Sequence, residues 1–590
     1  MIVRPLIKII ITLFLTSTII LAQKQFIKSL EVQGNKVFSQ SDYLDWSGLK
    51  LNQSSFNGML DSVSNRILRF LSLNGYFFAK IDSIYIIEID SSNIKIIISI
   101  NEDFPTIISS IEFLNADSTD KIFYEERFNS IIGSLLDKNS FENVIESLIK
   151  YYEDNGHPFA KVIVRSIQFS SDSIHSERKA DIKLLIEKGA LCRIDLIEIR
   201  GNETTKDYVI TRELRLKKGD LYSQKKINDL PNRLNRLRFF EPVKNPSFYI
   251  NQKNEGVLVI EVLEKQTNNF DGIIGYIPPA KNESKGYVTG LANISLRNLF
   301  GTGRSVALRW NKFGRNSQEL ELKYLEPWLL NLPFNISFNF YQRIQDTTYV
   351  QRKIESNFEY LASENISASL IVGSEVVIPT ERVIPVFTVF NSSLITTGFS
   401  IKYDTRDDPY SPTKGVSFTN TYLYSKKNIS GPERFLTSQV VRNLNLQRII
   451  SDLEFFTSIF NRQVLAVSFH LRELKGKSFE STDLFKLGGT NSLRGYREEQ
   501  FIGNRIFWSN LEYRFLLTAR TFVFSFFDIG YYLRLADSSK NIMKMESLLY
   551  GYGVGINLET AIGVLAVSFA LGKEDSFSEG KIHFGIVNEF

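Results

Sequence analysis

Few residues of this chain are arranged to do chemistry, and the leading candidate is a single arginine. Arg494 stands in Leu487-Gly488-Gly489-Thr490-Asn491-Ser492-Leu493-Arg494-Gly495-Tyr496, a stretch too Gly-rich for a helix and too polar for a strand. A guanidinium on a flexible loop needs a fixed anionic acceptor, and its planar fork bonds one or two carboxylates in a geometry that lysine does not copy. Gly488, Gly489 and Gly495 let such a loop turn tightly. Two acceptors lie downstream. In Asn510-Leu511-Glu512-Tyr513-Arg514 the period of two puts Glu512 opposite Leu511 and Tyr513. In Phe527-Asp528-Ile529-Gly530, Asp528 likewise opposes Phe527 and Ile529, although Phe526 shares its face. The alternative is a surface loop with a solvated arginine.

Other constellations are weaker. Asp404, Arg406, Asp407 and Asp408 resemble a metal cluster by type, but Pro409 and Pro412 make a charged turn the plainer reading. His157, His175, His470 and His583 are scattered without ligand spacing. Neither a G-x-S-x-G elbow nor a phosphate loop is present. The chain therefore reads as a non-enzyme, with no metal and no cofactor. The lone Cys192 has no disulfide partner and sits among Leu191, Ile194 and Leu196 as a small hydrophobe. The net charge of +5 over 590 residues does not point to nucleic acid.

Positioning these side chains falls to two kinds of element. Arg4 and Lys8 precede an apolar run over 9–21, and Ala22 offers a small residue for cleavage before Gln23, which reads as a secretory signal over 1–22. The run is short for an uncleaved anchor, which needs roughly 20 apolar residues. No later segment is a candidate membrane helix. From about Asn268 apolar residues alternate with polar or small ones, as in Phe334-Asn335-Ile336-Ser337-Phe338-Asn339-Phe340 and Tyr550-Gly551-Tyr552-Gly553-Val554-Gly555. Apolar outward and polar inward at this period is the transmembrane barrel pattern; a soluble sandwich alternates too, with its apolar face inward. The 324 residues of 267–590 (590 − 266) hold about sixteen spanning strands at roughly 9–11 residues each plus loops.

The first half repeats. Asn74-Gly75-Tyr76-Phe77-Phe78-Ala79-Lys80 recurs as Asn155-Gly156-His157-Pro158-Phe159-Ala160-Lys161, and a third copy opens at Ile197 and turns degenerate around Phe239-Phe240-Glu241-Pro242. Each unit reads strand, helix, helix, strand, strand. In the first, 26–32 is a strand, Ser39 caps a helix over 40–46, 56–73 shows helical spacing, and 79–89 and 94–100 alternate as strands. Such a unit has a sheet edge able to accept an extended strand, or it is a plain spacer.

Three such units resemble POTRA domains, and the barrel carries Asn298-Leu299-Phe300-Gly301-Thr302-Gly303, Tyr324-Leu325-Glu326-Pro327-Trp328, the Asp404 turn, Pro412-Thr413-Lys414-Gly415 and the Leu-Arg-Gly-Tyr segment in that order. Together these resemble the BamA/TamA superfamily of outer-membrane assembly factors, and three repeats at this length look most like the TamA architecture. The resemblance implies a leader at 1–22, three α/β POTRA-like domains at 23–103, 104–188 and 189–266, and a transmembrane antiparallel β-barrel at 267–590. It implies a lumen latch in which Arg494, with Gly495 and Tyr496, reaches Glu512 and Asp528. Gly585 and the terminal Phe590 would form the barrel's C-terminal signal. The first strand (270–277, followed by Pro278-Pro279) and the last (582–590) would part as a lateral seam. The implied partners are unfolded outer-membrane or secreted clients, outer-membrane lipid, and an inner-membrane or periplasmic protein at the first repeat. The alternatives are a two-partner-secretion-type export pore, whose N-terminal plug has no room here, or a factor in lipid transport to the outer membrane.

Overall fold

The computed structural model describes residues 25–56, 58–172, 177–279, 285–380, 389–408, 411–438, 440–536, 542–560 and 563–587. The leader at 1–22, His175 and Phe590 lie outside them.

In the first repeat Phe26–Gln33 runs parallel to Asn93–Asn101, which also pairs antiparallel with Lys80–Glu88, so the unit's last strand is the middle of its sheet. Helices Gln40–Ser47 and Met59–Leu73 bury Tyr43, Val63 and Ile67 against Ile27, Leu30, Ile94 and Ile96. Ser39 and Asp42 form a reciprocal cap at the first helix, satisfying two donors that the helix cannot. The second helix begins at Met59 rather than 56, behind Gly58 at φ +76. The second repeat has the same order, with Thr106–Phe113 and Lys161–Asp172 flanking Glu177–Glu187. In the third, Leu196–Arg200 and Ser247–Ile250 flank Gly256–Glu261. The first two repeats form one compact body with 189–195, 218–227 and 251–256; most of the third belongs to a second body with the barrel.

Glycine closes the long helices of the first two repeats, at Gly75 (φ +84) and Gly156 (φ +94), where the left-handed conformation satisfies the last carbonyls. After Gln224–Leu237 that conformation falls to Arg238 at φ +61, which costs a side-chain-bearing residue about 1 kcal/mol. Its guanidinium is then placed 2.9 Å from Asp408 on a barrel turn. The degenerate copy of the repeat is thus the one that meets the barrel. A second glycine repeats for a different reason: a Cβ at Gly34 would lie 2.3 Å from Ile100 O and one at Gly201 2.0 Å from Val262 O, both at positive φ. Gly34→Ala is expected to destabilise the first repeat by about 2 kcal/mol or more. Lowering of the urea midpoint read by Trp46 emission checks this, and an unchanged midpoint contradicts it.

Among the described residues sixteen strands, from Asn269–Ile277 to Lys581–Val587, make one sheet in sequence order, and every neighbouring pair is antiparallel. The face that a sandwich would bury is the exposed one: Ile274 is 82 % exposed, Phe399 51 % and Phe584 68 %. A belt of that kind is stable against lipid and not against water. The other face is polar, with Tyr341 bonding Glu319 at 3.1 Å and Asn335 bonding Glu359 at 2.9 Å. This is the transmembrane barrel that the alternation predicts. Its inner-rim turns hold the third repeat. Asn298 donates to Thr205 Oγ1 at 2.8 Å, Gly301 O accepts the Lys206 N–H at 2.9 Å, and Trp328 Nε1 donates to Glu213 at 2.6 Å. The Asn-Leu-Phe-Gly and Glu-Pro-Trp motifs therefore act as docking turns.

Candidate functional site

The Arg494 segment belongs to the connection between the eleventh strand (Gln463–Lys475) and the twelfth (Arg505–Leu516). It folds onto itself first. Phe485–Leu487 pairs antiparallel with Phe501–Gly503, the Gly488 N–H is taken by Ser492 Oγ at 2.9 Å, and the Gly489 N–H by Leu493 O at 3.0 Å. Gly488, Gly489 and Gly495 stand at φ +114, +105 and +90, conformations that a residue with Cβ rarely takes. The tip is buried against the barrel wall: Leu487, Leu493 and Tyr496 pack with Ile506, Trp508, Tyr532 and Leu549. Tyr496 donates its hydroxyl to Tyr550 O and accepts the Lys573 N–H, each at 3.0 Å, and burial raises its pKa, keeping it a donor.

The structure brings Arg494, Glu512 and Asp528 together. Arg494 is 7 % exposed and Asp528 is fully buried. The guanidinium grips Asp528 with two parallel bonds, Nε to Oδ2 at 2.8 Å and Nη2 to Oδ1 at 2.7 Å, and Nη1 reaches Glu512 Oε1 at 2.6 Å. The backbone N–H of Arg494 adds a bond to Asp528 Oδ2 at 3.1 Å. Leu511, Tyr513, Phe527 and Ile529 of the same strands are on the exposed face, so both carboxylates point into the lumen as the period of two requires. Phe526, which shares the face of Asp528, lies under the cation with its ring centre 3.7 Å from Arg494 Cζ; a guanidinium stacks on a ring face as readily as it pairs.

Sequence reasoning missed several partners. Arg514 bonds the second oxygen of Glu512 at 2.7–2.8 Å, and the i, i+2 spacing on one strand face was its visible signal. Asn510, on that same face, donates to Ser492 O at 2.8 Å. Lys427 of the ninth strand (Gly415–Gly431) pairs with Asp483 at 2.8 and 2.9 Å and with Glu480 at 2.5 Å, all three buried. Nothing local in the sequence marks that trio. Arg343 of the fifth strand (Phe334–Gln345) meets Glu499 at 3.2 and 3.3 Å. The loop is thus held by charge before, at and after its tip.

The Asp404 turn is a closed set of internal partners. Arg406 spans Asp404 at 2.8 and 2.9 Å and Glu454 at 2.9 Å, Asp407 accepts the Thr413 N–H at 2.9 Å, and Asp408 meets Arg238. Gly585 pairs with Ala566 in the last ladder.

A lumen-latched arginine loop, a sixteen-stranded barrel and N-terminal α/β repeats find the same counterparts among known proteins. Residues 298–590 match the family model of the Omp85 superfamily domain, and 25–103 and 192–265 match the surface antigen variable number repeat, POTRA. The chain belongs to the Omp85 superfamily. Among the relatives of this Omp85 protein is the outer membrane protein assembly factor BamA of Nitratidesulfovibrio vulgaris, 22 % identical over 95 % of this chain and 72 % of that protein. BamA of Neisseria meningitidis serogroup B is 23 % identical over 59 % of this chain and 43 % of its own length, so the alignment takes in less than half of that relative. Among solved structures, the crystal structure of BamA from Haemophilus ducreyi lacking POTRA domains 1-3 is 17 % identical, covers 81 % of this chain and 98 % of that one, and has a TM-score of 0.48. Like its relatives, this Omp85 chain is an outer-membrane protein with its repeats in the periplasm.

Proposed function

We propose that the protein captures unfolded outer-membrane or secreted clients on the sheet edges of its periplasmic repeats and inserts or passes them through a barrel that opens at a lateral seam. The observation that carries this reading is the pair of sheet ends. The first strand, Asn269–Ile277, pairs with the second, and the last, Lys581–Val587, pairs with the fifteenth (Gly563–Gly572). Among the described residues no ladder joins the two ends. Parting them would break few backbone bonds, and a client strand would find unpaired donors and acceptors on either side. A lumen occupied by the latched loop favours this sideways route over straight passage. The edge strand Lys80–Glu88 of the first repeat exposes Tyr85, Ile86 and Ile87, which suits addition of an extended client or of a periplasmic or inner-membrane partner. The two BamA relatives are named assembly factors, and the same work fits this chain.

The test bridges the two ends. Cysteines at Ile274 and Ile582, in a Cys192→Ala background, are joined by a bifunctional thiol reagent in lipid vesicles. Client insertion is expected to stop when bridged and to return on cleavage of the linker. Insertion at the unbridged rate sinks the seam. Continued export of a soluble client by the bridged protein, with ion conductance, would favour the pore reading instead.

A further inference from the structure

The latch extends to the last strand of the sheet. Gly495 donates its N–H to Nε2 of His583 at 3.1 Å. His583 is 7 % exposed on the inward face of Lys581–Val587, whereas Ile582 and Phe584 beside it are 63 % and 68 % exposed. The loop tip reaches it along a channel of absent side chains. A Cβ at Gly530 would lie 2.8 Å from Leu493 Cδ2, one at Gly551 1.9 Å from Arg494 O, and one at Gly572 2.8 Å from Gly495 O. These glycines stand on three successive strands, where Gly551 is the cross-strand partner of both Asp528 and Gly572. At the far end the methyl group of Thr490 faces Gly585, 3.1 Å from where its Cβ would be. The loop backbone therefore crosses from the carboxylate that holds Arg494 to the strand that ends the sheet, in a groove that any larger residue would fill.

We propose that His583 is a positioning residue that ties the Arg494 loop tip to the last strand, so that the latch sets where that strand lies. The tie takes its meaning from the lateral-seam reading, on which it rests, and its existence from geometry. A buried loop N–H must find an acceptor, and the imidazole nitrogen supplies it from the strand that the seam reading requires to move. While Arg494 holds Asp528 and Gly495 holds His583, the last strand is restrained from the lumen side as well as by its single ladder. Release at either point frees it.

Amide hydrogen exchange of the C-terminal peptide from Lys581 onward, in the full-length protein in lipid vesicles, reads this restraint directly. His583→Phe fills the space without an acceptor and is expected to speed exchange there about tenfold. His583→Gln keeps an acceptor oxygen near the same place and is expected to retain the wild-type rate. Arg494→Ala, distant in sequence, is expected to speed the same amides, and covers the case in which His583→Phe does not fold. Unchanged exchange in His583→Phe and Arg494→Ala, or equal acceleration in His583→Gln and His583→Phe, overturns the coupling. Either result stands whatever the bridged barrel does to clients, so a failure of the seam reading is told apart from a failure of this one.

Discussion

Arg494→Ala is expected to cost the barrel about 3–5 kcal/mol and to abolish most client insertion. The size comes from what is left behind. Asp528 is fully buried and takes three hydrogen bonds from Arg494, counting the backbone N–H that the variant retains. Without the guanidinium its carboxylate has lost two charge-assisted bonds and its counter-ion in a site closed to water, which is far more damaging than losing an exposed pair. Glu512 fares better, because Arg514 still holds its other oxygen. The asymmetry makes a further expectation: Asp528→Asn in the Arg494→Ala background restores part of the lost stability, while Glu512→Gln restores little. Arg494→Lys keeps the charge but not the fork, cannot grip both oxygens of Asp528 while reaching Glu512, and is expected to stay well below wild type. Urea unfolding in vesicles and cleavage of the loop by a non-specific protease added from the outer face supply the readout. Wild-type stability and protease resistance in Arg494→Ala would mean that the packing of Leu493 and Tyr496 and the remaining hydrogen bonds hold the tip without the guanidinium.

The parts of this architecture that were legible in the sequence share one property: their signal is local. Period-two alternation placed Glu512 and Asp528 on the lumen face because a strand has no other way to point its side chains. The Asn-Gly copies showed the repeat, and the structure adds that each closes a helix, where a left-handed residue is usually glycine. The same alternation places His583 inward beside Ile582 and Phe584, but which part of the lumen it faces depends on where a loop far upstream in the chain comes to rest. Lys427 and Asp483 are 56 positions apart, one on a strand and the other in an irregular segment with no period to read. Arg238 was hidden for another reason. At the third repeat the glycine rule gives way to a contact with the barrel, and only the fold shows that the residue in that conformation reaches Asp408.

Lys427→Met should be nearly as damaging as loss of Arg494, and the comparison with its neutralised triple tests why. The lysine ammonium is fully buried between Asp483 and Glu480, whose side chains are 1 % and 4 % exposed. Removing it leaves two carboxylates together in a closed site with only Arg448, 3.8 Å from Asp483, as a cation beside them, at a cost of about 3–5 kcal/mol. The same reasoning says that the charges are not themselves the source of stability, since bringing them out of water consumes most of what their attraction returns. Lys427→Met combined with Glu480→Gln and Asp483→Asn leaves none of the three charged, and takes from the more exposed Arg448 only a carboxylate 3.8 Å away. The two substituted amides would also keep carbonyl oxygens where the carboxylates now accept the Phe390 and Glu480 backbone N–H groups at 2.9 Å. The triple variant is therefore expected to recover most of the urea midpoint lost by the single one. A triple variant as unstable as Lys427→Met would show that the ion cluster, and not the filling of its site, holds the incoming limb of the loop. Because this limb is anchored separately from the tip, Arg494→Ala should free residues 488–496 for proteolysis while 480–484 stay protected, and Lys427→Met should give the reverse.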